Sequence, residues 1–137
     1  MVLFCPVFSW FHVLVLRAAN LAMSVLFLFS AGLQLNDPDP AAWVAIYGAA
    51  AAACGWMAMA PARRLSTRML PLAVALTAFV WAGLIAARAA GLVELPALFE
   101  SWEMKDAAVE ETREMYGLLI VGVWISASVA ASSLRRN

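Results

Sequence analysis

Gln34-Leu35-Asn36-Asp37-Pro38-Asp39-Pro40-Ala41 stands between two long apolar runs, and how it is read decides the fold. Pro38 and Pro40 have no backbone N–H to donate, and each pushes the residue before it, Asp37 or Asp39, away from helical dihedrals. A helix arriving from the N-terminal side must end here. Asn36 suits the left-handed residue that closes a helix, and Asp39 suits the N-cap of the next one, with Pro40 at its first position. The stretch reads as a tight hairpin between two helices, and turn chemistry alone accounts for it.

Outward from this turn the apolar runs have membrane length. Crossing about 30 Å of hydrocarbon takes about 20 apolar residues at 1.5 Å each. Four uncharged runs meet that length, at about 18–35, 41–60, 69–87 and 115–134. Of the 137 residues 65% are hydrophobic, and mean hydropathy is +0.85, against about 45–50% apolar usage in soluble domains. The length leaves room for one domain, a single four-span membrane domain over 1–137. The expected fold is therefore all-α: an integral membrane four-helix bundle. Residues 1–16 form an apolar N-terminal extension, either an interfacial segment or a first helix that runs beyond the bilayer. Trp10, Phe11 and His12 suit an interface. No basic residue precedes Arg17, so the opening does not read as a cleaved secretory leader.

Charge sets the topology. With four spans, both termini and the second link fall on one side, which holds Arg17, Arg63, Arg64, Arg68, Arg135 and Arg136 and no acid. The other side holds Asp37, Asp39, Glu94, Glu100, Glu103, Asp106, Glu110, Glu111 and Glu114, against Arg88, Lys105 and Arg113. By the positive-inside rule the arginine side is cytoplasmic. The expected location is the cell membrane, multi-pass, with N- and C-termini cytoplasmic; in a Gram-negative bacterium this is the inner membrane.

The outer acidic segment, 91–114, is the longest link. After Pro96 it contains no Gly or Pro up to the last span. At about 100° per residue Glu100, Glu103, Asp106, Glu110, Glu111 and Glu114 fall within an arc of about 140°. Leu98, Trp102, Val109 and Tyr116 gather on another face. The segment reads as an amphipathic acidic helix on the outer face, from about Ala97, leading into the last span. Like charges so placed repel by a few tenths of a kcal/mol per pair. Pairing with Arg88 and Arg113, a bound divalent cation or a basic partner would offset that, and mobile counterions on a solvated face would serve as well.

Polar residues at a membrane border are costly enough to imply interior placement or partners. Gln34, Asn36, Asp37 and Asp39 stand at the end of the first span; Glu110, Arg113 and Glu114 stand at the start of the fourth, and Arg88 at the end of the third. These residues are the candidate ligand site, and they serve equally as a structural ion-pair cluster. Glu100, Glu103, Asp106 and Glu111 are the candidate partner-docking face. Other features read as packing. The small residues from Tyr47-Gly48 to Cys54-Gly55 allow close helix approach, and Ser126, Ser128, Ser132 and Ser133 bond within or across the last helix. Trp43, Trp81, Trp102 and Trp124 read as interface anchors or packing residues. Cys5 and Cys54 match no redox or zinc spacing. With one histidine, and without a phosphate-binding loop or nucleophile elbow, no cofactor and no catalytic residue is assigned. Zero net charge gives no basic character that would draw nucleic acid.

Gln34-Leu35-Asn36-Asp37-Pro38-Asp39-Pro40-Ala41-Ala42-Trp43, followed by Tyr47-Gly48, resembles the signature of the transmembrane protein 220 family of small four-helix proteins. Glu110-Glu111-Thr112-Arg113-Glu114 followed by Gly117-Leu118 is similar to that family's second marker. The resemblance runs from about Arg17 to the end. Leu35 stands where an aromatic residue is expected, and residues 1–16 extend beyond what the family needs. The resemblance implies a fold and a site location, and no activity.

The function expected first is that of a non-enzymatic accessory or scaffold subunit, in contact with membrane lipid and docked to a membrane-protein partner or to further copies of itself. The alternative is a cation- or ligand-binding membrane protein with an outer-face carboxylate site. A membrane enzyme using a carboxylate pair ranks below both, as does a transporter, since the spans hold almost no polar groups at mid-depth. The topology has a direct check. A periplasm-dependent reporter inserted after Lys105 is expected to be active, and the same reporter fused at Asn137 inactive; the reverse pair would overturn the orientation.

Overall fold

The computed structural model describes residues 6–36, 40–59, 66–88 and 107–133. Among them there are four helices and no strand: α1 Pro6–Leu33, α2 Pro40–Met59, α3 Ser66–Arg88 and α4 Ala107–Ser133, with a single 3₁₀ turn, Gln34–Asn36, closing α1. All four are long and apolar enough to cross a membrane, over Trp10–Asn36, Pro40–Met59, Arg68–Arg88 and Ala108–Ser133. The architecture is thus an all-helical, multi-pass membrane domain, and its outward faces meet lipid.

The helix bounds differ from the apolar runs in two instructive places. α1 is continuous from Pro6, at about 42 Å longer than the hydrocarbon core is thick. From Pro6, the first described residue, nothing breaks the helix up to Leu33. α4 starts at Ala107, about two turns ahead of its uncharged run, so that Glu110 lies in its first turn with Glu111 and Glu114 close behind. The positive end of the helix macrodipole favours acids there and offsets part of their mutual repulsion. α3 carries Pro71 inside it, fully buried, close enough to Ser66 that the lost bond falls near the helix start.

The helices pack as two hairpins, α1 with α2 and α3 with α4, and α2 joins them by touching both α3 and α4. α1 leans almost wholly on α2, leaving Leu14, Val25 and Phe29 exposed. Lipid tails are as apolar as leucine, so close packing of small residues rather than oil-in-water burial holds such a bundle. Ala50, Ala51, Ala53 and Cys54 of α2, Ala78 and Ala82 of α3, and Leu118, Val121 and Ile125 of α4 form its centre. At Gly122 an added Cβ would stand 2.8 Å from the Phe79 ring, so glycine is what lets α4 meet α3 there.

Polar bonds pin the helices where packing alone would let them slide. The Arg68 guanidinium donates to Ser133 Oγ at 2.7 Å and lies 3.5 Å from the Ser132 carbonyl, which puts a cation at the negative end of α4. Ser132 and Ser133 themselves donate back to Ser128 and Val129 within the helix. Ser24 Oγ donates to the Ala51 carbonyl at 2.8 Å, joining α1 to α2. Asn20, 1% exposed, donates to the Leu16 carbonyl at 2.9 Å and accepts the Trp124 indole N–H at 3.3 Å. That bond ties α1 to α4, which otherwise hardly touch. Asn20→Leu is expected to lower stability by roughly 1 kcal/mol, and by much less when Trp124 is already phenylalanine. Unfolding titrations in mixed micelles read the cycle; fully additive costs would refute the clamp.

Candidate functional site

At the end of the bundle where α1 closes and α4 begins, a cleft of about 230 Å³ opens between Ser30 and Leu33 of α1, Gln34 of the 3₁₀ turn, Tyr47 of α2, and Glu110, Arg113 and Glu114 of α4. Each wall is placed by local chemistry. The 3₁₀ turn that closes α1 brings Gln34 to the rim. The 3.6-residue period puts Glu110, Arg113 and Glu114 one turn apart on one face of α4. Thr112, fully buried with its hydroxyl donating to the Ala108 carbonyl at 2.6 Å, turns that face toward the cleft rather than the core.

Tyr47 forms the floor. Its ring stacks between Phe27 of α1 (centroids 6.4 Å apart) and Trp43 (6.3 Å), and Trp43 stacks in turn on Trp81 of α3 at 4.6 Å. Its hydroxyl lies against Gly117 of α4, where an added Cβ would collide with it. Glu114 is near enough to act on Tyr47 electrostatically. The cleft is therefore amphoteric: one guanidinium, two carboxylates, an amide and two hydroxyls around a space the size of a small polar molecule.

The sequence model of Transmembrane family 220, helix, matches residues 26–130. The chain belongs to this family. No curated protein and no solved structure matches the chain. The stretch matched to Transmembrane family 220 takes in every described residue of the cleft and the Tyr47–Gly117 contact, whereas Asn20 and Ser24 precede it.

The structure brings Gln34, Glu110, Arg113 and Glu114 together in one cleft. Asn36 is exposed and does not line it, and Arg88 is exposed at the last residue of α3. Glu111 is half-buried beside the cleft-lining positions. Asp37, Asp39, Glu100, Glu103 and Asp106 lie outside the described residues, as does most of the acidic segment 91–114. Among the described residues no three carboxylate, thiol or imidazole side chains converge to hold a metal ion. Sequence reasoning did not single out Ser30 or Tyr47 as cleft residues. For Tyr47 a signal existed, since Tyr47-Gly48 and Gly117-Leu118 closed the two motif stretches, and the structure joins these at one contact.

Gly117→Ala is expected to cost about 1–3 kcal/mol by overpacking. Tyr47→Phe in that background should restore most of the loss, because the nearest remaining ring atom, Cζ, stands at an ordinary 3.5 Å from the new methyl. Thermal midpoints in detergent measure both; a double variant no more stable than Gly117→Ala would disprove the contact.

Proposed function

We propose that this chain is a non-enzymatic membrane protein that binds a small zwitterionic ligand in the cleft at the acidic end of the bundle. The observation that carries the reading is the placement of Arg113 with Glu110 and Glu114 around one cleft, with Gln34 and Tyr47 opposite. A guanidinium forks onto a carboxylate or phosphate, and carboxylates accept hydrogen bonds from an ammonium group. One small molecule bearing both charges answers all three. The carboxylate-site reading of the sequence is kept in this form; a divalent cation would have Glu110 and Glu114 as its described ligands, with Arg113 opposing it. The non-enzymatic part rests on the makeup of the walls: the Ser30 hydroxyl donates to the Leu26 carbonyl at 3.0 Å and is engaged with its own helix rather than with a base. The cleft is taken to face outward, with both termini cytoplasmic in the cell membrane, as the arginine distribution favours.

A second reading, an accessory or scaffold subunit that docks a larger membrane complex or further copies of itself, is favoured by α1. Its outer side leaves Trp10, Leu14, Val25 and Phe29 exposed and touches little beyond α2. The two readings are compatible.

Calorimetry on the purified protein decides the first. Phosphoethanolamine is expected to bind with measurable heat, and Arg113→Gln or Glu114→Gln to weaken it at least tenfold. No heat, or heat unchanged in both variants, would sink the reading; a rise in thermal midpoint with calcium that the two glutamates control would replace it with the cation site.

A further inference from the structure

One face of α4 below the cleft forms a shallow, open trough of about 310 Å³, almost wholly apolar, along Tyr116, Leu119, Ile120, Val123, Trp124 and Ala127. From Tyr116 to Ala127 it runs about 16 Å at 1.5 Å per residue, close to half of the roughly 30 Å hydrocarbon core, which is one leaflet. Its upper end, Tyr116, lies one turn below Arg113, the cleft residue nearest its side of α4, so that Arg113 stands at the junction of groove and cleft. We propose that the two form one site for a lipid-like amphiphile, a phosphate-and-ammonium headgroup in the cleft and one acyl chain in the groove. The inference rests on the cleft binding a zwitterion, and adds the chain that such a ligand carries.

The groove wall argues for an acyl chain rather than another helix. Helices that dock in lipid do so over small residues that let backbones approach. Here five of the six lining side chains are large, and Ala127 at the deep end is the exception. The Trp124 N–H is already given to Asn20, leaving no donor to recruit a polar partner midway. A flexible chain fills such an uneven trough without having to match its knobs. Charge then selects the head: Arg113 meets the phosphate and Glu110 and Glu114 meet the ammonium, an arrangement that repels a lipid with a negative headgroup and no amine.

Native mass spectrometry of the delipidated protein tests this, with phosphatidylethanolamine and phosphatidylglycerol as probes, beside calorimetry with phosphoethanolamine. Phosphatidylethanolamine is expected to stay bound at concentrations at least fivefold lower than phosphatidylglycerol. Ile120→Trp fills the groove at a position 56% exposed, where the core is not disturbed. It should abolish that preference and leave phosphoethanolamine binding unchanged, whereas Arg113→Gln should weaken both. Phosphoethanolamine binding with no effect of Ile120→Trp on lipid retention would overturn the amphiphile and leave the cleft reading intact. Equal retention of the two lipids would reduce the groove to ordinary annular contact. A dimer that Ile120→Trp dissolves would assign it to a second copy instead.

Discussion

The approach of the Tyr47 hydroxyl to Gly117 is the constraint on which the remaining geometry turns. Each hairpin is fixed internally by its own packing, but the two hairpins meet mainly through α2. Tyr47 lies in that helix, reaches α4 with its hydroxyl, and through stacked rings reaches Phe27 of α1 and, by way of Trp43, Trp81 of α3. One side chain thus registers all four helices. Any larger residue at 117 would collide with the Tyr47 hydroxyl, one turn below Arg113 and Glu114.

The bilayer makes such point contacts decisive. With no net drive to bury apolar side chains away from lipid, stability comes from close backbone approach and from a few interhelical hydrogen bonds, each of modest worth. The alanines of α2 and α3 supply the first. The second are distributed along the bundle: Arg68 on Ser133 at the end opposite the cleft, and Asn20 with Trp124 and Ser24 with Ala51 further along. α1, with the least buried surface of the four, depends most on these bonds.

Spans were legible because uncharged length is a coarse property that no local detail can hide, and the hairpin was legible because two prolines leave the backbone no helical option. The extent of α1 was not. An apolar stretch reads the same inside a membrane and beyond it, so a longer helix could not be told from an interfacial segment. At α4 the acids were read as part of a helix leading into the last span, and the described part of that helix holds Glu110, Glu111 and Glu114. Within the cleft, Gln34, Glu110, Arg113 and Glu114 stood out as polar groups at a hydrocarbon border. Tyr47 did not, because an aromatic residue near a span end is ordinary. Asn20 was hidden for a different reason: one amide barely changes the hydropathy of a long apolar run, and its bond to a residue 104 positions away has no trace in local pattern.

The remaining choice is between an ion-pair cluster that serves structure alone and a site that takes a ligand. Glu110 and Arg113, three residues apart on one helix, can neutralise one another where they stand, for a few tenths of a kcal/mol. That pairing requires neither Gln34 nor Tyr47, nor any open space beside them. Protein interiors close around such clusters at about the density of organic crystals, since each unfilled gap forfeits contacts along its lining. Here instead about 230 Å³ stays open between three helices, floored by an aromatic side chain that Gly117 holds in place. That open cleft is the feature that favours the proposed ligand site over a purely structural cluster.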